Sequence, residues 1–271
     1  MRRPGRLVLL GHPVAHSLSP RFQNAALAAA NIQLRYDALD VDPAAFDETI
    51  ALLRSQRAAG NVTVPLKERM RESADILTPL AQRVGAVNVF WIDDRGSLVG
   101  DNTDVAGFDA AVVELLGERP RDMTVGVLGA GGAAAAVLAA VETWPDCYAH
   151  VYNRTPERAR ILCERFRPFA QPVDDVGVVA GAQLIVNATS VGLRDDAYPL
   201  DPTLIAPGSA VIDLVYRPGE SAWTRAVRAR GHRACDGLGM LIEQGAVAFE
   251  RWFGVSPDRS VMWASVGRMS P

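Results

Sequence analysis

The chain has 271 residues, of which 49% are hydrophobic and 22% are charged, and its formal net charge is −3. This length is sufficient for two domains of ordinary size, and this composition excludes a disordered chain or a coiled coil. Since the net charge is slightly negative and the sequence has no dense basic run, we expect neither a nucleic-acid partner nor an anionic membrane partner.

Apolar runs and metal-binding residue types narrow the class of protein further. The run Leu7–Leu10 is too short for a signal peptide, and no other apolar stretch approaches the length of a membrane span. Three widely separated cysteines predict no disulfide framework, and we infer no metal site from the cysteines and the four histidines. We therefore expect a cytoplasmic, metal-free protein, either a monomer or a homodimer, with small-molecule ligands.

The first hundred residues alternate between strand and helix patterns. Residues 7–11 predict a short buried strand, and "SPRFQNAALAAAN" predicts a helix with Ser19 as its N-cap and Pro20 at its first position. "YDALDV" and "GNVTV" predict strands on either side of the amphipathic helix "AAFDETIALLRS". "AVNVFWIDD" and "SLVGDN" predict a hairpin, and the alternation as a whole predicts a largely parallel sheet.

A second series of strands and helices begins near Met123. "MTVGVLGAGGAAAAVLAAV" predicts a strand, a glycine turn and a helix, and "YAHVYNRT" and "PERARILCERF" predict the next strand and helix. "AQLIVNATS" and "SAVIDLVY" predict two further strands, and "SAWTRAVRARG" and "MLIEQGAVAFERWFG" predict helices. We expect two α/β domains: residues 1–104 completed by C-terminal helices within 238–271, and a doubly wound Rossmann-type domain over 105–237.

The glycine turn has the pattern of a dinucleotide-binding site. Residues Gly129–Ala134 match G-x-G-x-x-G/A between a predicted strand and a predicted helix, which is the context that this fingerprint requires. Glycines let the backbone approach a pyrophosphate, and the free N–H groups of a helix N-terminus bind it. A glycine turn can also be purely structural, but the ordered strand, turn, helix and strand favour dinucleotide binding.

The end of the next predicted strand indicates which dinucleotide binds. NAD-binding domains carry an acidic residue there, roughly 20 residues after the glycines, that holds the ribose hydroxyls. This chain has Asn153 at that position, followed by Arg154, Thr155 and Arg158. Arginines and a hydroxyl bind a 2′-phosphate that an acidic residue would repel, so we predict NADP(H) rather than NAD(H). Solvated arginines at a helix start are the alternative, but cations there oppose the helix dipole.

A later segment, "NATSVG", follows the predicted strand that ends near Asn187. Ligands of open α/β sheets bind at the carboxyl ends of strands, so we expect this segment beside the ribose or the nicotinamide. A capped turn without a ligand is the alternative for any single residue in it.

Four polar clusters precede the glycine turn: "HSLSP", "NVTVPLK", "AVN" and "GDNTD". In the second cluster side chains alternate, so Val62 and Val64 are predicted to face the core while Asn61 and Thr63 share the opposite face. Each polar residue alone has a structural alternative as a helix cap or a turn. Together the clusters supply hydroxyls, amides, one cation and one anion, which suit a polyhydroxylated ligand.

These motifs together resemble those of the shikimate dehydrogenase family. "SLSP", "NVTVPLK", "GAVN", "GDNTD", "GAGGAA", "NRT", "NATSVG" and "DGLGMLIEQGA" occur in that family's order and at its spacing. The resemblance implies the NADP-dependent, reversible reduction of 3-dehydroshikimate to shikimate, a step of chorismate and aromatic amino acid biosynthesis. It also implies a substrate-binding first domain and an NADP-binding second domain, with a cleft between them that closes on the substrate.

The resemblance also assigns roles to individual residues. It implies a carboxylate site at Ser17 and Ser19, a catalytic pair of Lys67 and Asp104, and hydroxyl-binding or substrate-adjacent positions at Asn61, Thr63, Asn88, Tyr216 and Gln244. The implied cofactor positions are Gly129, Ala130, Gly131, Gly132, Ala133, Ala134, Asn153, Arg154, Thr155, Arg158, Thr189, Leu214, Gly237 and Met240. The sequence departs from the commoner family pattern at Leu66, Val105 and Ser221, none of which removes a catalytic group.

The lysine and the aspartate suit carbonyl reduction, because the developing alkoxide needs a proton from a positioned acid. We expect Lys67 to donate that proton in reduction and accept it in oxidation, with Asp104 orienting it and binding a substrate hydroxyl. A coupled pair allows either member to be described as the acid–base group. A quinate/shikimate dehydrogenase with relaxed cofactor use is one alternative. A non-catalytic sensor of shikimate-like ligands is another, and the presence of both Lys67 and Asp104 argues against it.

Overall fold

The computed structural model describes residues 3–217 and 219–267, and the chain divides into two compact units. The first unit comprises Met1–Asp104 and Leu241–Pro271, and the second comprises Val105–Met240. The final residues of the predicted first domain, 268–271, lie outside the described residues. The roles predicted for the two domains remain predictions.

Strands and helices alternate along most of the described chain. The strands are β1 (Arg6–Gly11), β2 (Tyr36–Asp40), β3 (Ala58–Val62), β4 (Ile76–Leu77), β5 (Val89–Ile92), β6 (Leu98–Asp101), β7 (Thr124–Leu128), β8 (Tyr148–Tyr152), β9 (Ala170–Pro172), β10 (Leu184–Asn187), β11 (Ala210–Asp213) and β12 (Ala234–Asp236). The α-helices are α1 (Ser19–Ala29), α2 (Phe46–Ser55), α3 (Lys67–Ser73), α4 (Pro79–Val84), α5 (Asp104–Leu116), α6 (Gly132–Val141), α7 (Pro156–Arg165), α8 (Val176–Ala180), α9 (Ala222–Ala229), α10 (Leu238–Phe253) and α11 (Arg259–Ser265). The sequence patterns did not predict β4, β9, β12, α4 or α8, because elements this short show no hydrophobic period.

The sheet of the first unit is mixed, with the order β2-β1-β3-β5-β6-β4. Strand β1 runs parallel to β2 and β3, whereas β5 runs antiparallel to β3 and β6, as the predicted hairpin requires. The expectation of a largely parallel sheet therefore holds for only part of it. Among the six strands of this sheet β5 runs opposite to the other five, so five carboxyl ends and one amino end share one edge.

The core beneath this sheet is built from apolar side chains that its strands direct inward. Val8, Leu10 and Val62 are buried together with Phe90, Phe46 and Met70. The prediction for Val64 was wrong: β3 ends at Val62, and Val64 is 69% exposed. The strand ends early because the chain turns at Pro65, which has no N–H to donate to a sheet.

The second unit has the doubly wound fold that the sequence predicted. Its sheet order is β12-β11-β10-β7-β8-β9, and all pairs of neighbouring strands are parallel. The chain starts in the middle at β7, moves outward to β9, and then returns to β10 on the other side of β7. Ligands of such sheets bind at the carboxyl ends of strands where the direction of winding reverses, which here lies between β7 and β10.

Helices α6 and α8 pack closely in the second unit. Residues Ala134–Ala140 of α6 are buried, so the alanine-rich stretch does allow the helix to lie tightly in the unit. A side chain at Gly126 would lie 2.6 Å from the main-chain oxygen of Val179 in α8. Glycine in β7 is therefore needed for the approach of this neighbouring helix.

Candidate active site

Polar side chains from the first unit meet at the shared edge of its sheet. Asn61 lies at the end of β3, Asn88 precedes β5, and Asn102–Asp104 follow β6. Gln244 joins them from α10, with its side-chain oxygen 3.2 Å from Nδ2 of Asn88. The antiparallel position of β5 is what brings Asn88 to the same edge as the ends of β3 and β6.

Lys67 and Asp104 form an ion pair at this edge, with 2.6 Å between Nζ and Oδ2. Their side chains are 20% and 8% exposed, so the pair is largely shielded from water. The other carboxylate oxygen, Oδ1, accepts a hydrogen bond of 2.7 Å from Asn88 Nδ2. The main-chain N–H of Asp104 donates to Asn102 Oδ1 at 3.0 Å, which holds the start of α5 in place.

Asn88 is the centre of the hydrogen-bond network around this pair. Its Nδ2 lies within 3.2 Å of acceptors on Asp104, Thr103 and Gln244, and its Oδ1 accepts the main-chain N–H of Thr103 at 2.7 Å. The Thr103 hydroxyl also lies 3.4 Å from Gln244 Oε1. Since Asn88 is only 2% exposed, these contacts give one amide orientation at the floor of the site.

Asn61 and Thr63, the two residues predicted for the polar face of β3, differ in burial and in hydrogen bonding. Asn61 is 4% exposed, and its amide bonds to the Tyr36 hydroxyl at 2.8 Å and to the main-chain oxygen of Asn88 at 3.2 Å. Thr63 lies just past the end of the strand and is half-buried. Its hydroxyl makes no hydrogen bond to any described residue, so it is available to a ligand.

The two predicted carboxylate-binding serines lie where the chain enters α1. Ser17 Oγ accepts the main-chain N–H of Ser19 at 3.2 Å. The prediction of Ser19 as the N-cap was wrong: the helix begins at Ser19, Leu18 precedes it, and no side chain caps this end. The hydroxyl of Ser19 is therefore not consumed by capping. The main-chain N–H groups of this turn do not add free donors, because Pro20 has none and Arg21 donates to the Leu18 oxygen at 3.0 Å.

The glycine turn of the second unit leaves space for a ligand backbone. Gly129 has a φ of +108°, a conformation that side chains disfavour, and a Cβ there would lie 2.9 Å from the oxygen of Ala188. At Gly131 a Cβ would meet no atom within 4 Å, so that side of the turn is open. Helix α6 then begins at Gly132 with free N–H groups, and these features fit a pyrophosphate.

The arginines predicted to bind a 2′-phosphate lie next to that turn. The main-chain N–H of Gly129 donates to the oxygen of Tyr152 at 2.8 Å, which joins the turn to the end of β8. Asn153 Nδ2 bonds the main-chain oxygen of Thr155 at 2.8 Å, closing the turn into α7. Arg154 and Arg158 are exposed and pair with no carboxylate in the described part of the chain. Two unneutralised guanidinium groups at a helix N-terminus suit an anion.

A buried carboxylate organises the ends of β10 and β11. Asp213 Oδ1 accepts from Asn187 Nδ2 at 2.7 Å, and its Oδ2 accepts from the Ser221 hydroxyl at 2.5 Å. Burial raises the pKa of Asp213 above its ordinary value. Asn187 Oδ1 in turn accepts the main-chain N–H and the hydroxyl of Thr189, so the "NATSVG" turn is fixed from below. Serine and threonine both carry a hydroxyl group, so Ser221 can donate this hydrogen bond to Asp213 although it departs from the commoner family pattern.

The remaining predicted cofactor positions also lie in the second unit. Leu214 donates its N–H to the oxygen of Asn187 at 3.0 Å, and a Cβ at Gly237 would lie 2.2 Å from the Leu214 oxygen. Only glycine permits this approach of the two segments. Met240, in the first turn of α10, is 9% exposed. Tyr216, predicted to lie beside the substrate, is half-buried in the segment that follows β11.

Three residues with clear structural roles escaped the sequence patterns. Thr103 lies inside the motif "GDNTD", but the sequence gave it no role of its own. In the structure its hydroxyl accepts a hydrogen bond from Asn88 Nδ2. Tyr36 and Asp213 each serve a partner more than twenty residues away, as in the contacts with Asn61 and Asn187. No local period reports such contacts.

No helix formed by residues 3–217 and 219–267 is long and apolar enough to cross a membrane. Across the same residues, no group of three or more His, Cys, Asp and Glu side chains is arranged to hold a metal ion.

Comparison with known proteins assigns the family. Residues 9–90 match the family model for the shikimate dehydrogenase substrate binding domain, and residues 237–266 match that for the shikimate 5'-dehydrogenase C-terminal domain. A shikimate dehydrogenase (NADP(+)) of Rubrobacter xylanophilus is 44% identical over 266 residues, covering 94% of this chain and 92% of the relative. The chain belongs to the shikimate dehydrogenase family.

Solved structures of shikimate dehydrogenases have the same fold. The Thermus thermophilus enzyme in complex with NADP(H) and shikimate has a TM-score of 0.87 at 39% identity, covering 97% of this chain and 98% of that chain. The Aquifex aeolicus shikimate dehydrogenase has a TM-score of 0.90 at 34% identity, covering 96% and 97%. The resemblance inferred from the motifs and the expected two-domain α/β fold class are thus confirmed.

Proposed function

We propose that this chain is an NADP-dependent shikimate dehydrogenase that reversibly reduces 3-dehydroshikimate to shikimate. The observation that carries the proposal is the Lys67–Asp104 pair, 2.6 Å apart within a buried network of amide and hydroxyl groups. A shikimate dehydrogenase at 44% identity and a solved relative in complex with NADP(H) and shikimate support the substrate and the cofactor. The reaction belongs to chorismate and aromatic amino acid biosynthesis.

The proposed acid–base group is Lys67. Its ammonium group donates the proton that the alkoxide needs in reduction, and the neutral amine takes that proton back in oxidation. Asp104 holds the ammonium group through Oδ2 while Asn88 holds Oδ1, so the carboxylate is fixed at both oxygens. This fixed carboxylate orients Lys67 and accepts a hydrogen bond from a substrate hydroxyl.

The proposed substrate contacts divide by chemistry. Ser17 and Ser19 lie where the chain enters α1, and their two hydroxyl groups suit the carboxylate of shikimate. The amides and hydroxyl at Asn61, Thr63, Asn88 and Gln244 suit its ring hydroxyls, and Tyr216 is proposed to lie near the bound ring. The Thr63 hydroxyl is available to a ligand, since no described residue engages it.

NADP(H) supplies or accepts the hydride when it is bound, and the second unit offers groups that fit it. The open face at Gly131 and the free N–H groups from Gly132 onward would hold the pyrophosphate. Asn153 would contact the adenosine ribose, and Arg154, Thr155 and Arg158 would hold its 2′-phosphate. Thr189, Leu214, Gly237 and Met240 are proposed to line the nicotinamide end.

A spectrophotometric assay tests the proposal directly. Purified protein is mixed with shikimate and NADP+, and the absorbance of NADPH is followed; quinate and NAD+ are assayed in parallel. We expect turnover with shikimate and NADP+ to exceed that of every other combination. Equal rates with quinate or NAD+ would instead indicate the relaxed enzyme, and shikimate binding without turnover would indicate a sensor. Cytoplasmic location and a monomeric or homodimeric state remain predictions.

A further inference from the structure

Tyr36 reaches the candidate site from two strands away. It begins β2, it is 1% exposed, and its hydroxyl donates to Asn61 Oδ1 on β3 at 2.8 Å. Strand β1 lies between them, with Leu7 opposite Tyr36 and Leu9 opposite Asn61. Leu7 and Leu9 share one face of β1, so the tyrosine ring passes over that face to reach the asparagine.

Two contacts together select one orientation of the Asn61 amide. Nδ2 lies 3.2 Å from the main-chain oxygen of Asn88, which can only accept a hydrogen bond. Oδ1 then faces the Tyr36 hydroxyl, which donates to it. One proton on Nδ2 remains without a partner in the described part of the chain, so Asn61 has a donor to offer a ligand.

Tyr36 is itself held on several sides. Asn24 of α1 bonds both its main-chain N–H and its carbonyl oxygen, each at 2.9 Å. The ring of Trp252 from α10 lies 6.0 Å away between centroids. Helices α1 and α10 also carry the site residues Ser19 and Gln244. Burial raises the pKa of the Tyr36 hydroxyl, so it remains protonated and a donor throughout the neutral range.

We propose that Tyr36 is a positioning residue that sets the Asn61 amide to donate a hydrogen bond to a ring hydroxyl of the substrate. Tyr36 acts through Asn61 and is not itself proposed to touch the substrate. The inference rests on the proposed function, because it needs Asn61 to contact shikimate. Without the phenolic donor, Oδ1 of Asn61 would be buried and unpaired, and the amide would be free to leave its binding orientation.

Tyr36→Phe tests the proposal, because it removes the hydroxyl and keeps the ring against Trp252. We expect the KM for shikimate to rise about tenfold, with kcat and the KM for NADP+ changed by less than about twofold. Tyr148→Phe in the second unit, where the hydroxyl makes no hydrogen bond to a described residue, is the matched control and should leave all three constants unchanged. A lower Tm for Tyr36→Phe with an unchanged KM for shikimate would overturn the proposal.

A double-mutant cycle with Asn61→Ala separates positioning from general destabilisation. Asn61→Ala alone should raise the KM for shikimate, and adding Tyr36→Phe should then cause no further rise. An equal effect of Tyr36→Phe in both backgrounds would contradict the positioning role while leaving the proposed function standing. If Asn61→Ala leaves the KM unchanged in an active enzyme, the contact of Asn61 with substrate is refuted, and the role of Tyr36 falls with it. Absence of turnover by the unmodified protein would refute the proposed function itself.

Discussion

Replacing Asp104 with asparagine should disable the site without unfolding the protein. The two carboxylate oxygens each face a donor, Lys67 Nζ at 2.6 Å and Asn88 Nδ2 at 2.7 Å. Asparagine has only one oxygen, so its NH2 group must face either the ammonium group or the amide NH2 of Asn88. In both orientations one donor loses its acceptor and meets another donor.

The size of the effect follows from these contacts. A hydrogen bond to a charged group contributes about 1.5–3 kcal/mol, which corresponds to a loss of about 13- to 160-fold in kcat/KM. If Asp104 itself carries the proton, the loss should extend to the range of general acid–base catalysis, about 10²–10⁴. The free energy of unfolding should fall by no more than about 3–5 kcal/mol, the cost of leaving one partner of a buried ion pair uncompensated, because the Lys67 side chain is 20% exposed.

Steady-state kinetics with shikimate and NADP+, together with urea unfolding, measure both quantities. Asp101→Asn is the matched control, because Asp101 is also buried, lies three residues earlier and contacts Arg251 at 3.0 Å outside the catalytic pair. The control should lose stability but keep kcat/KM within about twofold. Activity of Asp104→Asn within twofold of the unmodified protein, or an equal loss in Asp101→Asn, would refute the reasoning.

Three further predictions concern the acid–base group, the phosphate site and the buried carboxylate. Lys67→Ala should lower kcat by about 10²–10⁴ with much less change in substrate affinity; a change mainly in KM would mean that Lys67 only binds. Arg154→Ala should weaken NADP+ binding about tenfold or more and NAD+ binding little. Arg160→Ala, whose guanidinium pairs with Glu157, should change neither, and equal losses for both cofactors in Arg154→Ala would contradict a 2′-phosphate role. Burial raises the pKa of Asp213 above its ordinary value of 3.8, so the folded state binds the proton more tightly than the unfolded state. The unmodified protein should therefore lose stability relative to Asp213→Asn as the pH rises from 3.8 through the raised pKa. Urea unfolding of both proteins between acidic and neutral pH measures this difference, and a constant difference would contradict it.

Most elements of the fold could be predicted because their signals are local. The glycine turn, the amphipathic helix α2 and the hairpin of β5 and β6 each depend on residues within a short window. The prediction for Val64 failed because the alternation of polar and apolar residues continues in the sequence beyond Val62, where the strand ends ahead of Pro65. The N-cap assignment at Ser19 failed by one residue, since the residue types there allow the helix to begin at either position.

The sequence by itself determined which chemical groups this protein has and the order in which strands deliver them. It placed Asn61, Asn88 and Asp104 near strand ends, and motif order then indicated the family. Only the tertiary structure decided which groups meet, because Asn88 and Gln244 are 156 residues apart and contact each other only once β5 is inserted antiparallel. Likewise, the orientation of the Asn61 amide depends on a tyrosine that reaches it across β1. The direction of a hydrogen bond is set by partners that are neighbours in space, and these partners leave no periodic pattern of residues along the sequence.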